Sequence, residues 1–460
     1  MKTYGTIIRL VLLAGLARAA IAQSAGPAFI RDQQGRAVII HGVNISNYAK
    51  YAPDNTSWQT IEDYAQMTGE WGFNTIRYLI FWSAIEPEPG QYDQQYLDRV
   101  AERIGWAETL GIHIILDMHQ DVYGVKFYQD GAPVWATWDD GLPFEPRIPW
   151  WINYLSPAVA RAFVHLWTEP ELQAAFTGAW CTVAQRFRHS PAVIGFDLFN
   201  EPFFGEFWPW NFERLYLAPF YSQLIQTLSV AAPGKICFYE PEIITSTGFR
   251  SFLGPLGLPD TGYMPHFYHP LVHEGLPYNG DSSLIQLAFF RRDQEARADN
   301  VPWLLGEFGA AANTPGMHDY LVDQLNLLDS HLSGWTYYSY DKTGDDSFGL
   351  LDPEGNEQDQ LLALVRPYPR AVAGTPRHIS YDSETRVARL EFVTDALANG
   401  PTEFWTGARR IYPEGFTVSC SDPPGSWHWT YDVRGQTAFI YTNSGNKRHW
   451  IELRPAVCPQ

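Results

Sequence analysis

The chain has 460 residues, 45% hydrophobic and 18% charged, which supports a folded core and one or two domains rather than a disordered chain. Its 32 Lys and Arg stand against 51 Asp and Glu, and the net charge of -19 opposes nucleic-acid binding, which lives on phosphate neutralisation. Aromatic residues reach 15%, with 18 Trp; a Trp-rich core and surfaces facing sugar or lipid are the two uses for such a supply.

Lys2 and Arg9 precede an apolar run from Leu10 to Leu16, and Ala20-Ile21-Ala22 offers a small-x-small cleavage site. Residues 1–22 therefore read as a signal peptide, and the mature protein is expected to be secreted or periplasmic. No later window holds the roughly 18 apolar residues of a spanning helix, so no transmembrane segment is expected after signal removal. Eight short apolar or β-branched runs follow. They are Val38 to Ile40, ending in His41-Gly42-Val43-Asn44; Phe73 to Ile80; Ile112 to His119; and Val193 to Phe199, which closes with Asn200-Glu201-Pro202. Lys235 to Tyr239, Gly262 to Tyr268, Val301 to Leu305 before Gly306-Glu307-Phe308-Gly309, and Gly334 to Tyr340 complete the set.

Amphipathic stretches separate several of these runs. From Asp98 to Leu110, Val100, Ile104 and Ala107 fall on one stripe while Glu102, Arg103 and Glu108 face away. Strand then helix, repeated about eight times, predicts an α/β fold, a (β/α)8 TIM barrel over residues 23–368. The rival, an open doubly wound sheet, lacks its Gly-x-Gly-x-x-Gly after the first strand. Two connections are long and aromatic: Asp121 to Trp150, and Glu201 to Phe212, which reads EPFFGEFWPWNF. Beyond Pro367-Tyr368-Pro369-Arg370 short alternating segments replace helical ones, predicting a C-terminal β-sandwich domain over residues 369–460. Its expected role is a structural cover, with sugar or membrane binding as the alternative. Four cysteines allow three pairings; Cys420 with Cys458, both in the C-terminal region, leaves Cys181 with Cys237.

In a barrel, side chains at strand C-termini build the site. Glu201 ends the fourth strand and Glu307 the seventh, so two carboxylates face one mouth. Glycosidic cleavage requires such a pair: one protonates the leaving oxygen, the other attacks the anomeric carbon or activates water. Arg77 on the second strand can hold a carboxylate ionised. His119 ends the third strand. His266 and Tyr268, two apart on the sixth, point the same way, so the Tyr hydroxyl can donate to the nucleophile. Trp335 on the eighth strand offers a flat floor under a sugar ring. Asp117, His119, Asp121, His266, His269 and His273 invite a metal reading, but no His-x-Glu-x-x-His and no His-x-His on the first strand supports it. No metal and no cofactor is expected. A Gly-x-Ser-x-Gly elbow and a phosphate loop are absent as well.

With these residues in view, the chain resembles glycoside hydrolase family 5 of clan A, and more narrowly the endoglycoceramidases. The family's set falls on Arg77, His119, Asn200, Glu201, His266, Tyr268, Glu307 and Trp335. The narrower resemblance rests on Leu116-Asp117-Met118-His119-Gln120-Asp121-Val122-Tyr123, Gly141-Leu142-Pro143-Phe144-Glu145-Pro146, Asn200-Glu201-Pro202-Phe203, and the run Pro367 to Pro376. It implies Glu201 as acid/base, Glu307 as nucleophile, and Lys50 and Asp121 as sugar-binding groups. It further implies cleavage, with retention, of the β-glucosidic bond between a glycosphingolipid's oligosaccharide and ceramide, so the expected partner is a glycosphingolipid. The aromatics Phe203, Phe204, Phe207, Trp208 and Trp210 lie just beyond the acid; they are expected to form a ceramide groove or dip into a membrane or micelle surface. Alternatives are a family 5 enzyme on soluble β-glycans, a variant taking galactose linked to ceramide, and an inactive barrel that binds sugar or lipid.

Overall fold

A computed structural model describes residues 27–443 and 445–456; the expected signal segment and Cys458 lie outside these described residues. Eight parallel strands form the barrel: β1 His41–Ile45, β2 Thr75–Ile80, β3 His113–Met118, β4 Val193–Asp197, β5 Ile236–Tyr239, β6 Thr261–Tyr263, β7 Leu304–Leu305 and β8 Gly334–Tyr337. They pair in the order β6-β5-β4-β3-β2-β1-β8-β7. The two ends of that sheet meet through single parallel bridges, Tyr263 with Trp303 and His266 with Glu307. The expected sixth strand, Gly262 to Tyr268, is thus reduced to three residues. Pro265 and Pro302 have no N–H to give, and at the seam each serves only as acceptor, to Gly306 N and Tyr263 N at 2.9 Å each.

The period of two sorts the strand residues into two layers. On β2, Ile76, Tyr78 and Ile80 pack outward among the helices, while Arg77 and Leu79 turn inward. On β3, Ile114, Leu116 and Met118 face out, so Ile115, Asp117 and then His119 face in. Ile40, Ile115, Phe238, Met264 and Leu304 fill the barrel's interior as an apolar plug. Polar side chains sit above that plug, where the strands end. The helix expected from Asp98 begins a turn earlier, at Gln94, because Asp93 accepts from the Gln95 and Tyr96 amides; it stops at Gly111, whose φ is 68°.

The C-terminal part holds β9 Tyr368–Val372, β10 Gly374–Asp382, β11 Val387–Thr394, β12 Thr402–Trp405, β13 Phe416–Cys420, β14 His428–Asp432, β15 Thr437–Tyr441 and β16 Arg448–Pro455. They form two antiparallel sheets, and Ala37–Val38 joins the first beside β9. This corrects the expected first barrel strand: Val38 belongs to the sandwich sheet, and the barrel strand starts only at His41. The two parts are stitched where β1 and β2 begin. Tyr368 stacks on His41 with ring centroids 3.6 Å apart, and its hydroxyl donates to Gly72 O at 2.8 Å. Arg370 donates to Thr68 O and Gly72 O, and Gln436 to Gly69 O.

Cys181, on the helix Pro170–Phe187, and Cys237, on β5, are both free thiols, so that pairing does not form. One sits half-exposed on a helix; the other is sealed beneath the barrel wall, where burial pushes its thiol up to about 12. The pairing of Cys420 with Cys458 falls outside the described residues.

Candidate active site

Arg77 is the centre from which the site is built. Its guanidinium, wholly buried, touches Asp197 Oδ2 through Nε at 2.8 Å and Glu307 Oε1 through Nη1 at 2.6 Å. Nη1 also donates to Asn44 Oδ1 at 2.9 Å, while Nη2 donates to Asn200 Oδ1 at 2.9 Å and Glu240 Oε1 at 3.0 Å and lies 3.0 Å from Asp117 Oδ1. One cation therefore serves carboxylates from β3 and β4 and from just beyond β5 and β7. Burial costs Arg77 dearly, but Asp117, Asp197, Glu307 and Glu240 outweigh it and hold the guanidinium charged. Asn44, which pairs in register with Arg77 on the next strand, ties the arrangement to the wall by donating to Gly306 O and Thr336 O.

Glu201 and Glu307 share His266. Its Nδ1 lies 3.0 Å from Glu201 Oε1 and 3.6 Å from Glu307 Oε2. Side-chain atoms of all three residues fall within 4.8 Å of one another. The Tyr268 hydroxyl donates to Glu307 Oε2 at 2.9 Å. Burial and the charges of Glu307 and Glu201 lift the Tyr268 phenol far above its usual range, so it stays a donor. Burial alone would lower His266, yet Glu240, Glu307 and Glu201 around it win and hold the imidazole well above the usual histidine range. Glu201 follows β4 with a φ of 45°, a left-handed conformation that costs an L-residue about 1–3 kcal/mol. Two contacts hold it there: its N–H donates to Glu240 Oε2 at 2.9 Å, and its C=O accepts from Gln120 Nε2 at 3.1 Å.

His119 is held differently. Its Nδ1 is 2.6 Å from Asp117 Oδ2, and burial, then Lys50 and Arg77, keep it well below the usual histidine range. A neutral ring with Nδ1–H on Asp117 leaves Nε2 as a bare acceptor facing the mouth. Lys50 Nζ meets Asp121 Oδ2 at 2.5 Å and lies 5.2 Å from the centroid of the Tyr338 ring. His119, Asp121 and Asp130, and likewise Asp197, Glu240 and His266, bring metal-ligand atoms within 4.8 Å of one another. In each cluster a side chain already supplies the cation, Lys50 in the first and Arg77 in the second.

Residues 31–344 match the family model described as Cellulase (glycosyl hydrolase family 5), and residues 366–453 match the Glycoside hydrolase family 5 C-terminal domain. The chain belongs to glycosyl hydrolase family 5. It is a glycoside hydrolase. Endoglycoceramidase I of Rhodococcus hoagii is 28% identical over 84% of this chain and 80% of its own, and the Cyanea nozakii endoglycoceramidase 27% over 79% and 80%. Endo-glycoceramidase II from Rhodococcus sp., solved as a ganglioside GM3 complex, superposes with a TM-score of 0.86 at 32% identity, covering 94% of this chain and 100% of that one. The same protein, at 33% identity and a TM-score of 0.85, is also known as a lactosyl-enzyme intermediate.

Within this family 5 barrel the sequence-predicted residues separate. Arg77, His119, Asn200, Glu201, His266, Tyr268 and Glu307 converge on one mouth, with Lys50 and Asp121 at its edge. Trp335 does not. The alternation on β8 turns it outward, where it is fully buried against His41, Phe73 and Phe308, with ring centroids 4.5, 5.6 and 5.7 Å away. The inward ring is Tyr338, three residues on, whose hydroxyl donates to Asn47 Oδ1 at 2.8 Å. Phe203 is also corrected: at 4% exposure it packs on Phe204, Tyr154 and Phe163 as rim core, not as a lipid surface. Phe204 and Phe207 are half-buried, Phe207 stacking on Tyr216. Only Trp208 and Trp210 stand out, 67% and 52% exposed and stacked 5.0 Å apart.

Asn44, Asp197, Glu240, Gln120 and Tyr338 were not among the sequence candidates, and Asp117 was considered only as a metal ligand. Counting back by two from His119 finds Asp117, whose register partner on β4 is Asp197, and Arg77's register partner on β1 is Asn44. Glu240 carries a plainer signal, an acid directly after a strand.

Proposed function

We propose that this enzyme is a retaining, endo-acting hydrolase of the β-glucosidic bond between the oligosaccharide and ceramide of glycosphingolipids. The observation that carries retention is the shared imidazole: Glu201, His266 and Glu307 each bring a side-chain N or O atom within 4.8 Å of the others, a close pair of acids on one ring. Retaining enzymes need carboxyl groups about 5–5.5 Å apart, inverting ones about 6.5–9.5 Å. Glu307, which accepts from Arg77 and Tyr268, attacks the anomeric carbon as the bond to the ceramide oxygen breaks and that oxygen takes the proton of Glu201. In the second step Glu201 removes a proton from water, whose oxygen displaces Glu307 and frees the glycan. Asn200 spends one Nδ2 hydrogen on Gln120 O, at 3.1 Å, and offers the other to the sugar's 2-hydroxyl. His119 Nε2 accepts from a sugar hydroxyl, and Lys50 with Asp121 binds the glycan further out.

The substrate assignment rests on the relatives above, endoglycoceramidases aligned over most of the chain, one of them solved with GM3. Trp208 and Trp210, with Trp150, Trp151 and Leu215 also exposed in the segments that connect the strands, supply an apolar rim that contacts the micelle or membrane. Among the described residues no helix is long and apolar enough to cross a membrane. Export by residues 1–22 completes the reading, on the strength of Lys2, Arg9 and the apolar run between Leu10 and Leu16. Incubation with a ganglioside and, separately, a cello-oligosaccharide tests it. Release of intact glycan and ceramide from the first, with little cleavage of the second, is expected; shorter cello-oligosaccharides without ceramide contradict it.

A further inference from the structure

Glu240 is a buried acid that the two-carboxylate reaction does not call for. It follows β5, is 1% exposed, and both its oxygens are engaged inside the site. Oε2 accepts the backbone N–H of Glu201 at 2.9 Å. Oε1 accepts from Arg77 Nη2 at 3.0 Å and lies 3.2 Å from His266 Nε2. The ring N–H is off that line, so the His266 contact is an ion pair rather than a directed hydrogen bond. On its opposite edge the same imidazole meets Glu201 Oε1 at 3.0 Å. Glu240 therefore reaches Glu201 twice, once through the backbone and once through the ring. The backbone contact holds the left-handed φ of 45° that aims the Glu201 side chain.

We propose that Glu240 is a positioning residue for the acid/base step: it fixes the backbone of Glu201 and keeps His266 cationic, so that Glu201 can both release and recover a proton. This rests on the reading of Glu201 as acid/base. The groups around His266 are Glu240 after β5, Asp197 and Glu201 at and after β4, Glu307 after β7, His119 on β3 and Tyr268 on its own segment, with Arg77 and, through it, Asp117 bound to the same acids. Of the acids, Glu240, Glu201 and Glu307 touch the ring, and Glu240 alone takes no part in bond making. Burial pushes the Glu240 carboxyl up while His266 and Arg77 pull it back, so acid and imidazole act as one proton-sharing pair.

Glu240→Gln isolates the charge, because its carbonyl oxygen still accepts the Glu201 N–H. Without the anion at 3.2 Å, His266 gives up its proton more readily. The pair goes from oppositely charged to neutral, and its net charge does not change. Its cationic half, however, is the one that touches Glu201 and Glu307, so those acids hold their protons more tightly. Both limbs of the pH profile therefore move to higher pH. Glu201 also becomes a weaker acid, which matters only when the leaving group needs a proton.

The experiment compares kcat, KM and pH profile of the full chain on lactosylceramide and on 2,4-dinitrophenyl lactoside, whose leaving group needs no acid. Glu240→Gln is expected to lose about tenfold or more additional kcat/KM on the glycolipid, because kcat/KM reports the first step, in which the leaving group takes the proton, with the profile moved toward alkaline pH. Glu240→Asp keeps the charge but is one methylene shorter, so it is expected to keep the wild-type pH profile while loosening the hold on the Glu201 N–H. Equal losses on both substrates, or an unmoved profile, overturn the proposal. If Glu240→Gln does not fold, Glu240→Asp carries the leaving-group comparison, with excess loss on the glycolipid expected and equal losses overturning it. Glu201→Gln in the same assay separates the two failures: no leaving-group dependence there removes the acid/base reading itself, whereas dependence there but not at Glu240 removes only this proposal.

Discussion

Arg77 and the acids around it decide what single substitutions do at the mouth. The guanidinium is wholly buried, so truncating it would leave Asp117, Asp197, Glu240 and Glu307 without their cation, at a cost of about 3–5 kcal/mol. Arg77→Ala is therefore expected to fail as a folded protein, and is a poor probe of chemistry. Tyr268→Phe is a cleaner one. It removes one hydrogen bond to a charged oxygen, worth about 1.5–3 kcal/mol, so kcat should fall about ten- to a hundredfold with the melting temperature nearly unchanged. A kcat within twofold of wild type, measured on any cleaved glycoside, would remove Tyr268 from the mechanism. Glu242 offers a stability test away from the chemistry. Burial, with Glu213 beside it, lifts its carboxyl from 4.5 to about 8. A folded-state value above the unfolded one means that its contribution is intact below pH 4.5 and is lost as pH rises through about 8. Glu242→Gln, which can still accept the Ile244 N–H, should raise the melting temperature at pH 8 and leave it unchanged at pH 4. A gain equal at both pH values would contradict this. Glu201 and Glu307 could be read from sequence because each sits at a strand end against proline or glycine. Asp117, Asp197 and Glu240 carry a weaker signal, because an acid inside or just after an apolar run looks the same facing a barrel's mouth or its helices until the alternation is counted from a residue whose face is known.

Strands and loops set the geometry that those residues inherit. The central strands were legible to within a residue or two, since runs such as Ile114 to Met118 have one reading in a barrel. At the β6–β7 seam, Pro265 and Pro302 thin the ladder to two bridges, and sequence periodicity overstates the strands. The same alternation that places Tyr338 inward sends Trp335 outward, and only register could tell which ring faces the mouth. The long aromatic loops divide in a way composition hides. Tyr123, Phe127 and Phe203 are buried glue, while Trp208 and Trp210 are exposed. Arg161 bridges Asp140 and Glu206, joining the two loops into one surface. If that surface meets lipid, replacing Trp208 and Trp210 together by Ala should cut turnover of micellar glycolipid several-fold more than turnover of a soluble aryl glycoside. Equal factors for the two substrates would exclude the docking role.

At the scale of the whole molecule the sandwich supports the barrel from the end where β1 and β2 begin. The Ala37–Val38 strand crosses into the sandwich sheet, Trp405 is buried beside Tyr368, and Arg409 pairs with Glu70. Trp405→Ala should therefore cost about 3–5 kcal/mol and lower the melting temperature, while kcat of the protein that remains folded at 25 °C is unchanged. A kcat that falls while the melting temperature holds would instead give the sandwich a direct part in substrate binding. The central claim is that two acids sharing one imidazole run a double displacement on a glycolipid. Proton NMR of the sugar released from lactosylceramide in the first turnovers tests it most directly. The β-anomer of lactose should appear first and then mutarotate; the α-anomer appearing first would contradict the account.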